Sequence, residues 1–405
     1  MSIKLNDIQQ ARHIIKDRVL NTPCSVSLAL SKLTGTETIL KFENKQFTGS
    51  FKDRGALVKL LSLDDKTKKQ GVIAMSAGNH AQAVAYHSKS LDIPATIVMP
   101  INTPNVKVRK TQSFGAEVVL HGKDLFEAGQ YTKKLMSEKN LTLIHPYNDE
   151  KIISGQGTIA LEMLEDYPDL DVLVVPIGGG GLISGNAIAA KAIKQDIKII
   201  GVQTENYPSM YKAVKAEEAV FQSSSIADGI AVKTPGSLTL EIIRDLVDEI
   251  VLVSEIEIEE AVLTLLEIEK SVVEGAGAVG LAAMLQDKEK FSDKKTGLIL
   301  SGGNIDLLVL SSIIQRGLAR THRLARLKII IPDVPGSLSD VTELLGNSNA
   351  NIIEVRHQRA FTNLSLKSAE VEFVIQTLGT DHLEEIIKTI KDADYDVHLE
   401  DIEVF

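Results

Sequence analysis

Asp171-Val-Leu-Val-Val-Pro-Ile-Gly-Gly-Gly-Gly-Leu182 decides how the rest of the chain reads. The apolar run to Val175 is too short for a helix and rich in β-branched residues, so it reads as a strand. Pro176 ends it. Gly178, Gly179, Gly180 and Gly181 follow, and an apolar helical pattern starts near Leu182. A strand, a glycine turn and a helix in immediate succession open a βαβ unit. The same alternation extends to both sides. Thr38-Ile-Leu-Lys-Phe-Glu43, Gly71-Val-Ile-Ala-Met75, Ala95-Thr-Ile-Val-Met99, Glu117-Val-Val-Leu120, Leu141-Thr-Leu-Ile144, Lys198-Ile-Ile-Gly-Val202 and Thr296-Gly-Leu-Ile-Leu300 read as strands. Helices are predicted over about 51–63, with Leu57, Leu60 and Leu61 on one face, and over about 80–89. Aliphatic strands separated by helices indicate an α/β architecture with an open parallel sheet covered on both faces.

The tail has another order. A strand, Leu327-Lys-Ile-Ile-Ile331, is followed by a helix to about 345, strands near 351–359 and 370–377, a helix over 381–391 and a strand near 397–404. This is the ferredoxin-like βαββαβ pattern. Composition changes at the same place. Residues 326–405 hold 7 basic and 15 acidic residues, whereas residues 1–325 hold 37 and 39. The shift supports a boundary near 325.

The whole chain has 405 residues, a formal charge of −10 and 44% apolar residues. At roughly 100–200 residues per domain, two or three domains are expected. The acidic balance argues against nucleic acid as a partner, which needs a cationic surface. The single cysteine, Cys24, excludes an internal disulfide and multi-cysteine metal sites. Nine histidines lack His-Glu-x-x-His spacing, so zinc chemistry has no support and no metal ligands are assigned. No stretch approaches ~18 uninterrupted apolar residues, so no membrane span is expected. Met1-Ser-Ile-Lys-Leu-Asn-Asp7 lacks the apolar run of a signal peptide, and a cytoplasmic location is the expectation.

In an open α/β sheet, ligands bind beyond the carboxyl ends of the strands. Four loops there carry chemistry. Thr48-Gly-Ser-Phe-Lys-Asp-Arg-Gly55 puts Lys52 in the first turn of a helix, where the dipole favours the neutral amine. Such an amine forms a Schiff base with a carbonyl; the plain alternative is a solvated lysine. Ser76-Ala-Gly-Asn-His80 sits between strand and helix, where backbone N–H groups meet anions; here the plain alternative is a helix start capped by Asn79. The glycine run lets backbone wrap a phosphate, or is merely a tight turn. It is neither a Walker A loop nor the dinucleotide fingerprint, because Ser184 stands where the third glycine belongs. Ser301-Gly-Gly-Asn304 leaves its strand with a hydroxyl that suits a ring nitrogen, or a helix cap.

In this order, Ser50-Phe-Lys-Asp-Arg-Gly-Ala56, Ser76-Ala-Gly-Asn-His-Ala-Gln82, the glycine run and Ser301-Gly-Gly-Asn304 resemble the threonine dehydratases (threonine ammonia-lyases). These are pyridoxal-phosphate enzymes of the tryptophan-synthase β-like fold. Asp228-Gly-Ile-Ala-Val-Lys233 and Glu274-Gly-Ala-Gly-Ala278 match as well. The tail, with Asp333-Val-Pro-Gly-Ser337 and Ala350-Asn-Ile-Ile353, resembles an ACT domain. The resemblance implies a catalytic domain over 1–320 in two subdomains, the smaller over about 53–150, and a regulatory domain over 326–405. It further implies that Lys52 holds pyridoxal 5'-phosphate as a Schiff base and that Gly178, Gly179, Gly180 and Gly181 cradle the phosphate. Asn79 would contact the ring hydroxyl, Ser301 the pyridine nitrogen, and Phe51 the ring. Ser76, Ala77, Gly78, Asn79 and His80 would receive the substrate carboxylate. Lys52 then takes the Cα proton and the β-hydroxyl leaves with proton help from the cofactor phosphate.

L-Threonine would give 2-oxobutanoate and ammonia, and L-serine would give pyruvate and ammonia. Ala77 stands where related serine racemases carry a proton-donating serine, which favours elimination. The alternatives are a serine racemase, a β-replacement enzyme of the same fold and, more remotely, an NAD-dependent dehydrogenase using the glycine run and Glu205. The ACT resemblance implies pairing across subunits in a homodimer or homotetramer. It also implies an effector, isoleucine or valine, held by Asp333, Pro335, Gly336, Ser337, Leu338, Asn351 and Ile352, consistent with a place in isoleucine biosynthesis. The bland alternative is an assembly domain without ligand.

Overall fold

A computed structural model describes residues 3–359 and 365–400. They form two compact units, 1–306 and 307–405. The helix Leu307–Arg320 therefore groups with the second unit, whereas the charge shift near 325 had put it with the first.

The first unit contains two sheets. The larger has six strands in the order Cys24–Val26, Glu37–Lys41, Lys295–Ile299, Val172–Pro176, Lys198–Thr204 and Glu249–Val253. Only the first pair is antiparallel. The smaller sheet is parallel throughout, in the order Glu117–Leu120, Ala95–Met99, Val72–Met75 and Thr142–Leu143. Leu173, Val175, Ile183, Ile199 and Ile299 belong to the core of the larger sheet, and Val72, Ala74, Val84, Ile97 and Met99 to that of the smaller. The expected α/β parallel-sheet architecture is present. Two strands were not anticipated. Cys24–Val26 is a three-residue edge with little pattern of its own, and Glu249–Val253 lies between two strongly helical segments.

One helix fixes the geometry of the site. Glu150–Asp166 starts at Asp149, whose side chain accepts from the Lys151 and Ile152 amides, and is buried along most of its length. It touches the Lys52 helix on one side and the helix after the glycine run on the other, both through glycine. A Cβ on Gly155 would lie 2.6 Å from Gly55 Cα, and one on Gly185 would lie 2.2 Å from Ile153 O and 2.6 Å from Gly157 N. Backbone thus packs on backbone at both crossings.

The second unit contains an antiparallel sheet in the order Asn351–Gln358, Ser368–Gln376, Leu324–Pro332 and Asp396–Leu399. Helices Ser337–Asn347 and Thr380–Asp392 complete the expected ferredoxin-like βαββαβ order. Leu327, Ile329, Phe373, Ile386 and Ile390 are fully buried between sheet and helices. The final strand was expected to reach 404; positions 401–404 lie outside the described residues.

Candidate active site

Lys52 is the first residue of the helix Lys52–Leu61. Its Nζ donates to Pro146 O at 2.9 Å and lies 5.0 Å from the centre of the Phe51 ring. Burial lowers its pKa to about 8, against the opposing pull of the Glu274 carboxylate. Desolvation is therefore the main cause, and the helix start acts in the same direction. At pH 7 about a tenth of such an amine is neutral, far more than for a solvated lysine.

The stretch before Lys52 is tied down on both sides. The Asp53 carboxylate accepts from Thr48 N at 3.0 Å and Thr48 Oγ1 at 2.5 Å. Phe51 N donates to Ser301 O at 3.0 Å, and Ser50 forms an antiparallel bridge with Gly302. The first and fourth loops are therefore joined by backbone. Ser301 is buried, and among the described residues its hydroxyl makes only a long 3.4 Å contact to Ala276 O. Ser50 Oγ is buried and has no hydrogen-bond partner among the described residues.

Asn79 does not cap its helix. It is the first residue of Asn79–Ser90, and the preceding Gly78 offers no side-chain cap. Its Nδ2 donates instead to Glu274 Oε1 at 2.7 Å, and its Oδ1 accepts from Asn304 Nδ2 at 2.8 Å. Ser76 Oγ accepts from Gly78 N at 3.2 Å. His80 points away: Nε2 donates to Ile144 O at 2.8 Å, and burial pushes its pKa down to about 3, so the ring is neutral. At this helix start, His80 offers its backbone and not its ring. Ala77 supplies only a methyl group.

The glycine run opens the helix Gly181–Ile193. Gly180 has φ +95°, which favours glycine. Thr239 Oγ1 donates to Gly179 O at 2.7 Å and fixes the turn. Among the described residues, no acceptor is recorded for the amides of Gly178, Gly179, Gly180 or Gly181, and no side chain caps the helix. Uncommitted amides at a helix start form an anion site. The Tyr147 ring rests on this turn, and its hydroxyl donates to Thr234 O at 2.9 Å. A Cβ on Gly179 would lie 2.3 Å from that ring. Gly179→Ala is therefore expected to displace the turn and weaken anion binding there about tenfold or more. Equilibrium dialysis against pyridoxal phosphate measures this, with unaltered affinity as the contrary result.

Sequence reading missed several of these residues. Segment 144–149 supplies Ile144 O to His80, Pro146 O to Lys52 and the Tyr147 ring to Gly179. Glu274 lay within a quoted motif but had no role; Asn304 likewise. Glu205, required by a dehydrogenase reading, is exposed. In the second unit, Asp333 accepts from Arg359 Nε at 2.9 Å, and Gly336, with φ +100°, precedes the helix that holds Ser337 and Leu338. Asn351 pairs with Gln376, whereas Pro332 pairs with Ser368 at the other end of the same strand. Asp333 and Asn351 thus stand at opposite ends of one sheet, about 20 Å or more apart along the strands. One unit does not bring the two halves of the expected effector site together.

A lysine amine with a lowered pKa, uncommitted amides at a helix start and a buried hydroxyl suit an aldehyde, a phosphate and a ring nitrogen in one ligand. Residues 15–302 match the family model described as pyridoxal-phosphate dependent enzyme, and the chain belongs to that family. Its cofactor is pyridoxal 5'-phosphate, and its fold is the tryptophan-synthase β-like one. The chain is 43% identical over 399 residues to a protein from Thermotoga maritima named L-threonine ammonia-lyase, covering 98% of this chain and 99% of that one. It resembles the solved threonine deaminase isoform 2 of Solanum lycopersicum, with 34% identity and a TM-score of 0.73 over 77% of this chain and 86% of that one. Maize serine racemase is also similar, with 37% identity and a TM-score of 0.73 over 80% of this chain and 100% of that one. No helix among the described residues is long and apolar enough to cross a membrane.

Proposed function

We propose that the chain is a lyase that converts L-threonine to 2-oxobutanoate and ammonia, and L-serine to pyruvate and ammonia. The observation that carries this reading is the Lys52 amine, desolvated to a pKa of about 8 and hydrogen-bonded to Pro146 O. The name of the Thermotoga maritima relative, similar along nearly the whole chain, supports it.

Pyridoxal phosphate, when bound, delocalises the negative charge that develops at the substrate Cα. The protein does the rest. Lys52 would hold the cofactor aldehyde and, once displaced by the substrate amine, take the Cα proton. The amides of 178–181 would hold the phosphate, and those of 76–80 the substrate carboxylate. Asn79 would meet the ring oxygen, Ser301 the ring nitrogen and Phe51 the ring face. A hydroxyl at Ser301, rather than a carboxylate, would leave that nitrogen largely unprotonated, which would weaken the ring as an electron sink and limit transamination. Ala77 cannot return a proton to the opposite face of Cα, which favours elimination over racemisation.

The test incubates the purified protein with L-threonine and L-serine and follows both 2-oxoacid and D-serine. Oxoacid from L-threonine at the higher rate supports the reading. D-Serine without oxoacid would establish a racemase instead. We further propose that the second unit regulates the enzyme by binding isoleucine or valine. Because Asp333 and Asn351 lie apart within one unit, a site using both requires a second copy, as in a homodimer or homotetramer. The same assay with either amino acid added reads this out. No change in rate, affinity or assembly would leave the unit an assembly domain. A cytoplasmic setting belongs to the same reading.

A further inference from the structure

Behind Asn79 runs a chain of hydrogen bonds with a charge at each end. The Lys110 ammonium donates to Asn304 Oδ1 at 2.6 Å. Asn304 Nδ2 donates to Thr48 O at 2.7 Å and to Asn79 Oδ1 at 2.8 Å. Asn79 Nδ2 donates to Glu274 Oε1 at 2.7 Å. An amide's nitrogen and oxygen are told apart by what faces them. Here an ammonium has no lone pair and an ionised carboxylate has no proton, so the ends dictate the sense of every bond between them. Asn79 Oδ1 is taken by Asn304. What remains for a ligand on the open side of Asn79 is the second Nδ2–H.

We infer that Glu274 and Lys110 are positioning residues that lock Asn79 as a hydrogen-bond donor toward the cofactor's ring oxygen, and so favour that oxygen's deprotonated form. The inference rests on the proposed placement of the cofactor and deepens it, because it assigns the sense of one contact and names the residues that impose it. Neither residue touches the cofactor in this account; both act through Asn79.

The two ends differ in strength. Glu274 is 4% exposed, and Gly302 packs on it so closely that a Cβ there would lie 2.4 Å from Oε1. Lys110 is exposed, so water screens its charge. Burial pushes the Glu274 carboxyl up to about 7, and Asp228 on the neighbouring turn adds to this. The Asn79 side chain, Lys107 and the Asn304 backbone N–H oppose it. Lys52 and Lys110 also sense its charge. The carboxylate end of the lock is therefore present above about pH 7 and lost below it, within the range of ordinary assays.

The test uses the holoenzyme and reads the cofactor's absorbance against pH, with kcat and KM beside it. In the wild type the visible band should give way to a near-ultraviolet band as pH falls through about 7. In E274Q the neutral amide commands no orientation at its end, and only Lys110 and Thr48 O, acting through Asn304, still hold Asn79. The band ratio should be lower than in the wild type and flat from about pH 5 to 9, with kcat down about tenfold and KM within about twofold. Lys110 favours the ionised carboxylate, so K110M should move the midpoint upward by a few tenths of a unit, on the order expected of an exposed charge, and K110R should restore it. Wild-type and E274Q spectra that superimpose across the range overturn the inference. Should E274Q fail to fold by circular dichroism, K110M decides, and an unmoved midpoint overturns it. A wild type with no visible band removes the cofactor placement and this inference together, whereas a normal wild-type band with an unchanged E274Q removes the inference alone.

Discussion

Lys52→Ala is expected to lower kcat by about a thousandfold or more, because it would remove both the proposed covalent anchor and the proposed base for the Cα proton. Reduction with borohydride should fix a pyridoxyl group on the peptide containing Lys52 in the wild type and on no peptide in the variant. Lys52→Arg should fail equally, since a guanidinium keeps its proton at any working pH. Binding should not vanish with activity. The amides of 178–181, proposed to hold the phosphate, are left in place by the substitution, so the variant should still take up the cofactor, reversibly. The pH dependence has a definite sign. Only the neutral amine attacks the aldehyde, and Lys52 is held at about 8. The rate at which apoprotein captures the cofactor should rise as pH increases through that value and level off above it. A capture rate still climbing toward pH 10 would mean that the amine is solvated and that the account of its burial is wrong.

What was legible in the sequence, and what was not, follows from the range of the interactions. Strands such as Ala95–Met99 and Glu117–Leu120 announce themselves by local pattern, and their expected limits coincide with the observed ones. The glycine run and Lys52 were readable because a glycine turn and a helix start are local devices. Segment 144–149 was not, because Ile144 and Pro146 act through carbonyl oxygens, which every residue has. Nor were the partners of Asn79. Glu274 and Asn304 come from 195 and 225 positions along the chain, and only the folded loops bring them to one amide. The helix dipole was a sound reason to expect a weakened proton on Lys52, but the larger cause, desolvation, needs the surrounding structure. In the second unit the pattern gave the order of elements. It could not give the register, and the register separates Asp333 from Asn351.

Arg54 is the clearest case of a residue visible in a motif whose work only the fold reveals, and its replacement should produce the largest loss of stability. It lies two positions beyond Lys52 in the same helix and is fully buried. Its guanidinium meets Glu43 through Nε and Nη2, each at 2.8 Å, and Glu162 through Nη1 at 2.6 Å and Nη2 at 2.7 Å. Lys41 completes the group at 2.7 Å from Glu162, and Thr22 donates to Glu43 at 2.6 Å. Two buried cations and two buried carboxylates thus balance. The attraction raises the Arg54 pKa and lowers that of Glu162. Arg54→Leu would leave two buried carboxylates facing Lys41 alone, and breaking such a buried pair costs about 3–5 kcal/mol. Arg54→Lys should recover little, because an ammonium cannot serve two carboxylates in the bidentate manner of a guanidinium. The double variant Arg54→Leu/Glu162→Leu removes one charge of each sign, so it should be less destabilised than the sum of the two single changes. Urea unfolding of the four proteins measures this coupling. Strictly additive losses would show that the group packs without acting as one electrostatic unit. Because Glu162 sits on the helix that also packs against the helix after the glycine run, the single variant should hold pyridoxal phosphate more weakly even under conditions where it stays folded.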